Sequence, residues 1–261
     1  MTVLESLILG IVQGLTEFLP VSSSGHLVAM RAILGINAPP IVFDLWLHLA
    51  TTAAAIVFFW KNITQLTLKQ IGIIAAANVP VALLGLGFES SIESFFGSML
   101  LVSFALIVTG LLNIFTDILL QMRDQTAVPN TVGFPNLKQG VLVGVAQMIA
   151  LIPGISRSGS TVFMGLKVGL SREAAFSFSF LLVMPAIIGA TLIKSLDVSI
   201  TNGLRTQFPT YFVGGVLAFG VGLFSLWLLK KLLVSARLRY FGFYCITLGL
   251  SLFVAQLLGL L

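Results

Sequence analysis

Long apolar runs dominate this chain and restrict what it can fold into. A helix needs roughly 20 apolar residues to cross a bilayer, and six runs approach or exceed that length. With 57% hydrophobic and 9% charged residues, the 261 residues also hold too little polar surface to cover a water-soluble core. We therefore predict an all-α integral membrane protein, a single membrane domain over residues 1–261. The predicted spans are Pro40–Trp60, Ile71–Phe88, Met99–Leu120, Ala174–Ile193, Tyr211–Leu229 and Tyr240–Leu260.

Two further stretches, Thr2–Leu34 and Leu137–Leu170, are too interrupted by Gly, Ser and Pro to be simple spans. We predict that each is a re-entrant hairpin of helix, break and helix. Halves 1–125 and 135–261 are a predicted internal repeat, and an odd number of spans in each half inverts the second half relative to the first. Five identities, each 134 residues apart, carry this prediction: Gly10 with Gly144, Gln13 with Gln147, Ser22 with Ser156, Ser24 with Ser158 and Gly25 with Gly159.

Basic residues are spread over short loops without a dense cluster. The net charge of +5 therefore favours anionic lipid headgroups as partners and gives no indication of nucleic acid binding. Lys and Arg collect on the cytoplasmic side of membrane proteins. In the six-span scheme Arg31, Lys194 and Arg205 lie on one face, which predicts that both termini are outside. The opposite face carries Lys61, Lys69, Arg123, Lys138, Lys167, Arg172, Lys230, Lys231, Arg237 and Arg239.

The first hairpin places polar residues on both sides of a proline. Thr2 and Glu5 have capping-box spacing, so a helix is predicted from Val3 until Pro20 stops it. On that helix Gln13 and Glu17 share a face. A second helix, with its positive end pointing into the membrane, is predicted to open at the run Ser22, Ser23, Ser24, Gly25 and His26.

The second hairpin breaks at Pro153 and Gly154 and opens another helix with hydroxyls and Arg157. Two helix N-termini, several hydroxyls and one arginine that converge predict a site for a highly charged anion, most simply phosphate. The alternative is that these serines and glycines only satisfy backbone groups and allow close packing. The residues concerned are Ser156, Arg157, Ser158, Gly159, Ser160 and Thr161.

Charged groups at membrane depth are functional by default, which favours a functional over a structural role for Glu17 and Arg157. Because Arg157 has no acid within its own motif, we predict a bound anion as its partner. His26 directly follows the serine run and is predicted to be catalytic or a ligand. His48 has no polar neighbours in sequence and is predicted to be structural. Asp44 and Asp117, near span ends, are predicted interfacial anchors.

The two motifs together resemble the undecaprenyl-diphosphatase family, also called the BacA or bacitracin-resistance family. Gln13 and Glu17 fit its pattern of Glu or Gln, three residues, then Glu, and PVSSSGH from Pro20 to His26 follows; PGISRSGST from Pro153 to Thr161 fits PGxSRSxxT. The resemblance runs the whole chain. It implies hydrolysis of undecaprenyl diphosphate to the monophosphate plus phosphate, which recycles the lipid carrier for peptidoglycan and other wall polymers. It also implies resistance to bacitracin, which competes for the same diphosphate.

The same resemblance implies a site. Glu17, Ser23, His26 and Arg157 would be catalytic, in a bacterial cell membrane, with the site open to the outer face. A divalent cation, Mg²⁺ or Ca²⁺, would be held by Glu17; Gln13 stands where many members have a second glutamate, so the motifs offer one carboxylate. The diphosphate would be bound by Gln13, Ser22, Ser24, Gly25, Ser156, Ser158, Gly159 and Thr161.

Two questions are left open by the sequence. The attacking group is either Ser23 activated by His26, or a water activated by His26 or Glu17. The rival function is a polyprenyl-phosphate flippase or carrier, since inverted repeats with broken helices are also the plan of secondary transporters. Such a carrier would release no phosphate. The oligomeric state is also open, with a homo-oligomer among the alternatives.

Overall fold

The computed structural model describes the backbone of residues 1–36, 41–125, 133–196, 198–234 and 237–261. Within these ranges the chain forms twelve α-helices and no strand. They are α1 (Val3–Thr16), α2 (Ser23–Leu34), α3 (Ile41–Phe58), α4 (Trp60–Thr64), α5 (Leu68–Gly87), α6 (Glu89–Phe95), α7 (Met99–Gln125), α8 (Leu137–Ile149), α9 (Arg157–Lys167), α10 (Arg172–Lys194), α11 (Val198–Val234) and α12 (Arg239–Leu257).

Five of the predicted spans are helices long and apolar enough to cross a membrane; they are α5, α7, α10, α11 and α12. This confirms a multi-pass membrane protein. The predicted span Pro40–Trp60 differs: Pro40 lies outside the described residues, and the apolar helix of Val42–Phe58 falls short of those five. α3 ends at Phe58, because Phe59 leaves the helical conformation at φ −98° and ψ 15° before α4 begins. α11 is kinked at Gln207, two residues before Pro209. Proline has no backbone N–H to donate and its ring clashes with the preceding turn, so it interrupts a regular helix.

The two predicted hairpins are confirmed as pairs of short helices, α1 with α2 and α8 with α9. The predicted capping box of Thr2 and Glu5 starts α1, and Asn136 with Gln139 forms a second one at the start of α8. These paired boxes are again 134 residues apart in sequence. Both hairpins therefore begin with a capping box, formed by Thr2 and Glu5 in the first and by Asn136 and Gln139 in the second.

α7 and α12 cross through glycines that contact each other reciprocally. A Cβ on Gly110 would lie 2.6 Å from the Gly242 carbonyl oxygen, and a Cβ on Gly242 would lie 2.7 Å from the Gly110 carbonyl oxygen. Ile246 and Ile114 flank the crossing in the same reciprocal way. Contacts of this kind are what a two-fold axis between equivalent elements produces. The inverted relation of the halves stays a prediction, which this crossing supports.

The breaks of the two hairpins meet in the interior of the bundle, where α7 binds both. Thr109 Oγ1 donates to the Gly154 carbonyl at 2.7 Å and accepts from the Ser156 N–H at 2.9 Å. One turn later, Asn113 Nδ2 donates to the Pro20 carbonyl at 2.5 Å. Backbone groups freed by the two breaks thus find partners on one helix, as groups at membrane depth must. α7 therefore sets the position of both breaks.

Candidate active site

Glu17 is the residue on which the two hairpins converge. It follows α1 as its C-cap and is only 7% exposed. Its Oε1 accepts from Arg157 Nη2 at 2.7 Å, and its Oε2 accepts from Ser23 Oγ at 2.6 Å and from Gln13 Nε2 at 3.1 Å. The buried Glu17 carboxylate is therefore bonded to Gln13 and Ser23 of the first hairpin and to Arg157 of the second.

Ser23 and Arg157 occupy equivalent places in the two hairpins. Each is the first residue of the helix after the break, Ser23 in α2 and Arg157 in α9. Each binds a different oxygen of Glu17. The prediction that the two helix N-termini converge is thus confirmed by the geometry, and the point of convergence is the carboxylate.

Arg157 has a protein partner that its own motif does not reveal. Glu17, which lies 140 residues away in sequence, forms an ion pair with the guanidinium, and the predicted bound anion stays a prediction. The sequence of one hairpin cannot reveal an ion pair whose other member lies in the second. The guanidinium still has a spare donor, because Arg157 Nη1 is buried and has no hydrogen-bond partner among the described residues. Its Cζ lies 5.5 Å from the centroid of the Phe180 ring.

His48 belongs to this cluster, although it was predicted to be structural. Its Nδ1 lies 3.3 Å from Glu17 Oε2 and 2.9 Å from Gln13 Nε2. α3, which carries His48, packs against α1 and α11 and so faces the first hairpin. Sequence reasoning missed it because no polar residue flanks it along the chain. The signal that could have found it is the rule already applied to Glu17, that an ionisable residue at membrane depth is functional by default.

The serines flanking Ser23 hold the first break together. Ser22 caps α2 through its Oγ, which accepts from the Gly25 N–H at 3.3 Å. Ser24 Oγ accepts from the Gly154 N–H of the other hairpin at 3.4 Å. A Cβ on Gly25 would lie 3.1 Å from the Gly154 Cα, so the two breaks touch there. The predicted contacts of Ser22, Ser24 and Gly25 with a diphosphate stay predictions.

His26 does not contact Ser23 in the way we predicted for an activating base. Its Nδ1 lies 2.7 Å from the Ser22 carbonyl oxygen, and its Nε2 lies 2.7 Å from the Tyr244 hydroxyl. His26 follows Ser22 by one helical turn, so its ring folds back onto the Ser22 carbonyl. The hydrogen-bond partner of Ser23 is Glu17. The prediction that His26 activates Ser23 therefore has no supporting contact in the structure.

The hydroxyls of Ser156, Ser158 and Thr161 in the second hairpin have protein partners. Ser156 Oγ caps α9 by accepting from the Gly159 N–H at 3.1 Å, and Ser158 Oγ donates to the Leu19 carbonyl at 3.1 Å. Thr161 Oγ1 donates to the Arg157 carbonyl at 2.8 Å and lies 2.5 Å from Ser179 Oγ. All three hydroxyl residues are buried. Their predicted role in binding phosphate, and that of Gly159, stays a prediction.

Asp44 and Asp117 are more than interfacial anchors. Asp44 forms an ion pair with the buried Arg31. Asp117 is buried and accepts from Gln121 Nε2 at 2.8 Å and from the Arg239 N–H at 3.3 Å at the start of α12. Both acids are thus satisfied away from the Glu17 cluster.

The oxygen atoms around Glu17 suit a hard divalent cation that takes its remaining ligands from water and phosphate. Across the described ranges there is no group of three or more His, Cys, Asp or Glu residues that could hold a metal. The oxygens available are those of the Glu17 carboxylate, the Ser23 hydroxyl and Gln13 Oε1, which is buried and lacks a described partner. Mg²⁺ is commonly bound by one or two carboxylates plus substrate phosphates. The residues therefore fit such an ion.

Fold and site together define a polytopic membrane protein with a charged centre buried where two broken helices meet. The family model described as bacitracin resistance protein BacA matches residues 6–251. A protein of Thermosipho africanus named undecaprenyl-diphosphatase is 38% identical over 96% of this chain and 99% of its own length. Proteins of the same name from Syntrophotalea carbinolica and Rhodopirellula baltica are 38% and 37% identical, over 95% and 96% of this chain and 97% and 96% of their own lengths. The chain belongs to the BacA family, as the motifs had indicated.

Proposed function

We propose that this chain is a phosphatase that hydrolyses undecaprenyl diphosphate to the monophosphate and phosphate. The observation that carries the proposal is the contact of one buried carboxylate, Glu17, with both Ser23 and Arg157. A hydroxyl held by a carboxylate beside an arginine with a spare donor is suited to attack on a phosphate group. The relatives named undecaprenyl-diphosphatase support the choice of lipid substrate.

Arg157 would hold the diphosphate. Its Nη2 is engaged by Glu17, which fixes the plane of the guanidinium, and its buried Nη1 is left to donate to a phosphate oxygen. A planar guanidinium presents its N–H groups in a rigid fork, and in a site shielded from water it stabilises the charge that develops on the phosphate. The N–H groups that open α2 and α9 would add positive potential.

Ser23 is the first choice for the attacking group, with Glu17 in the role that we had assigned to His26. Ser23 Oγ donates its proton toward Glu17 Oε2 and keeps its lone pairs for phosphorus. Attack would form the Ser23 Oγ–P bond, break the bridging P–O bond and release undecaprenyl phosphate. Water would then hydrolyse the phosphoserine and release phosphate. Direct attack by a water held at Glu17 is the alternative.

Glu17, Gln13 and Ser23 would hold the Mg²⁺ or Ca²⁺ ion, which when bound supplies charge neutralisation for the diphosphate. The Gln13 amide donates to Glu17 Oε2 through Nε2 and so orients the carboxylate, while its Oε1 is left for the ion.

The setting that we propose is the bacterial cell membrane, with the site open to the outer face, as the distribution of basic residues favours. The prenyl chain would remain in lipid, and membrane lipids would surround the bundle. Return of the monophosphate carrier would serve peptidoglycan and other wall polymers. Bacitracin, which sequesters the diphosphate, would compete with the protein for it.

Phosphate release by the purified protein tests this proposal directly. Wild-type protein in detergent, with undecaprenyl diphosphate and Mg²⁺, is expected to release one phosphate per lipid and leave the monophosphate. A flippase or carrier with the same fold would release none. Absence of phosphate release from a protein that still binds the lipid would reject the phosphatase and favour the carrier.

A further inference from the structure

Tyr244 contacts the candidate site without belonging to either sequence motif. It lies on α12, is 48% exposed, and stacks on the buried His26 with ring centroids 5.6 Å apart and planes inclined by 16°. Its hydroxyl is 2.7 Å from His26 Nε2. The last helix of the chain thus reaches the break of the first hairpin through one side chain.

The two contacts of His26 define its tautomer. The Ser22 carbonyl oxygen can only accept a hydrogen bond, so the hydrogen of a neutral imidazole must lie on Nδ1. Nε2 is then a bare acceptor, to which the Tyr244 hydroxyl donates. The Ser22 carbonyl therefore sets the tautomer, and the Tyr244 hydroxyl, by donating to Nε2, holds the imidazole in place against that carbonyl.

Ser22, the residue that His26 holds, is in an unfavourable conformation. Its φ of 70° and ψ of 95° make it the one non-glycine residue with positive φ in the described part of the chain. Strained residues of this kind persist only when their surroundings over-determine them. Here the Ser22 carbonyl accepts from both His26 Nδ1 and the His26 N–H, at 2.7 and 3.2 Å.

The direction of Ser23 depends on that strained turn. Ser23 follows Ser22 directly, and its Oγ reaches Glu17 Oε2 at 2.6 Å. If Ser22 relaxed to the ordinary φ of an N-cap, the peptide leading to Ser23 would rotate and the hydroxyl would leave the carboxylate. We propose that Tyr244 is a positioning residue for Ser23: its stacked phenol holds the His26 imidazole in place through Nε2, and His26 in turn holds the Ser22 turn that presents Ser23 to Glu17.

This inference rests on the proposed function only in so far as Ser23 takes part in the reaction. It makes His26 a positioning residue as well, which acts through Nδ1 rather than by proton transfer at Nε2. The two roles of His26 can be separated by two substitutions of the same residue.

Asparagine and glutamine each reproduce one nitrogen of histidine. In His26→Asn the amide nitrogen stands near the place of Nδ1 and can still donate to the Ser22 carbonyl, whereas in His26→Gln it stands near the place of Nε2. We expect the Asn variant to keep phosphate release within about tenfold of wild type, since it costs one hydrogen bond at most. We expect the Gln variant to lose about a hundredfold or more. Equal losses in both, or a more active Gln variant, would overturn the role of Nδ1.

Tyr244→Phe removes the phenol and leaves the stacked ring. We expect kcat to fall about three- to tenfold, the effect of one lost hydrogen bond, with KM for the lipid unchanged. Tyr240→Phe is the matched control, because Tyr240 lies one turn earlier on α12 and stacks on Arg239, away from His26. An unchanged kcat in Tyr244→Phe, or the same fall in Tyr240→Phe, would contradict the proposal.

The tautomer can be read without any assay of activity. The chain contains two histidines, so ¹⁵N-histidine labelling gives two imidazoles, and His48→Gln identifies the signals of His26. We expect His26 in the wild type to carry its hydrogen on Nδ1, and Tyr244→Phe to shift the Nε2 signal, which loses its hydrogen bond, while the hydrogen stays on Nδ1. An Nε2–H form or an imidazolium in the wild type would overturn the inference. If the tautomer is as expected but no phosphate is released, the proposed function fails and the positioning of Ser22 stands.

Discussion

The two hairpins have related sequences, yet their N-caps differ in conformation. Ser156, at the start of α9, has φ −71° and ψ 119°, the ordinary extended geometry of an N-cap. Ser22, its counterpart at the start of α2, has φ 70° and ψ 95°. After the relaxed cap comes Arg157, whose side chain is long enough to reach Glu17 from a regular helix start. After the strained cap comes Ser23, whose short side chain reaches Glu17 because the backbone is turned toward it. The strain thus accompanies the shorter side chain.

Ser23→Ala should produce the largest loss. If Ser23 attacks phosphorus, the substitution removes the attacking atom, and we expect a loss of more than about a thousandfold with lipid binding retained. Ser24→Ala, which removes the contacts with the Gly154 N–H and the Ser22 hydroxyl but none with Glu17, is the control and should stay within about tenfold. The measurement is phosphate release at saturating lipid and Mg²⁺, together with rapid quenching of the wild type to trap phosphoserine. Residual activity within about tenfold and no phosphoserine would reject Ser23 and leave the activated water.

Glu17→Gln tests the carboxylate that both hairpins share. Arg157 would lose its charged partner and Ser23 its acceptor, so we expect a loss of about several hundredfold and of the dependence on Mg²⁺. Glu5→Gln is the matched control, since Glu5 serves only the exposed capping box of α1. Thermal unfolding of both variants would be measured in the same detergent. A Glu17→Gln protein with a normal rate and cation dependence would make the carboxylate structural.

Arg157→Lys keeps the charge and removes the planar fork. A lysine cannot bind Glu17 and a phosphate oxygen with the same fixed geometry, so we expect about a hundredfold loss of kcat. Lys167→Arg, at the other end of α9, controls for general effects on the helix. Near wild-type turnover in Arg157→Lys would remove the guanidinium from the diphosphate clamp.

Ser158→Ala should have the smallest effect, because its hydroxyl serves the packing of the hairpins. It leaves the Leu19 carbonyl without its donor, which should lower the free energy of unfolding by about 1 kcal/mol. Phosphate release should stay within about tenfold of wild type at a temperature where both proteins are folded. A loss comparable to that of Arg157→Lys, with normal stability, would show that this hydroxyl contacts the diphosphate after all.

The elements of the fold could be predicted from the sequence because hydropathy and capping act locally. The capping box at Thr2 and five of the spans follow from residues close together in the chain, whereas α1 ends at Thr16, four residues before the stop predicted at Pro20. The end of the span at α3 was harder to predict, because the helix breaks at Phe59, a residue that carries no stop signal. Local patterns give elements reliably and give their exact ends less well.

The members of the site were predicted better than their partners. Glu17, Ser23 and Arg157 stood out as polar residues at membrane depth, but the bond between Glu17 and Arg157 crosses 140 residues of sequence and appears only when the bundle is folded. His48 was missed, and His26 was given the wrong partner, for the same reason: each contacts a helix distant in the chain. A hydrogen-bond partner is a property of tertiary packing, which motif spacing does not contain.

Thr109 and Asn113 lie one turn apart on α7 and bind the two breaks. Any tilt or axial shift of α7 as the bilayer thins or thickens moves both breaks in the same direction and by nearly the same amount. We therefore expect the separation of Ser23 and Arg157 to change less than the depth of either residue when the bilayer changes thickness. A hydrolase that works at one depth in lipids of varying thickness can in this way keep its alignment without a rigid exterior.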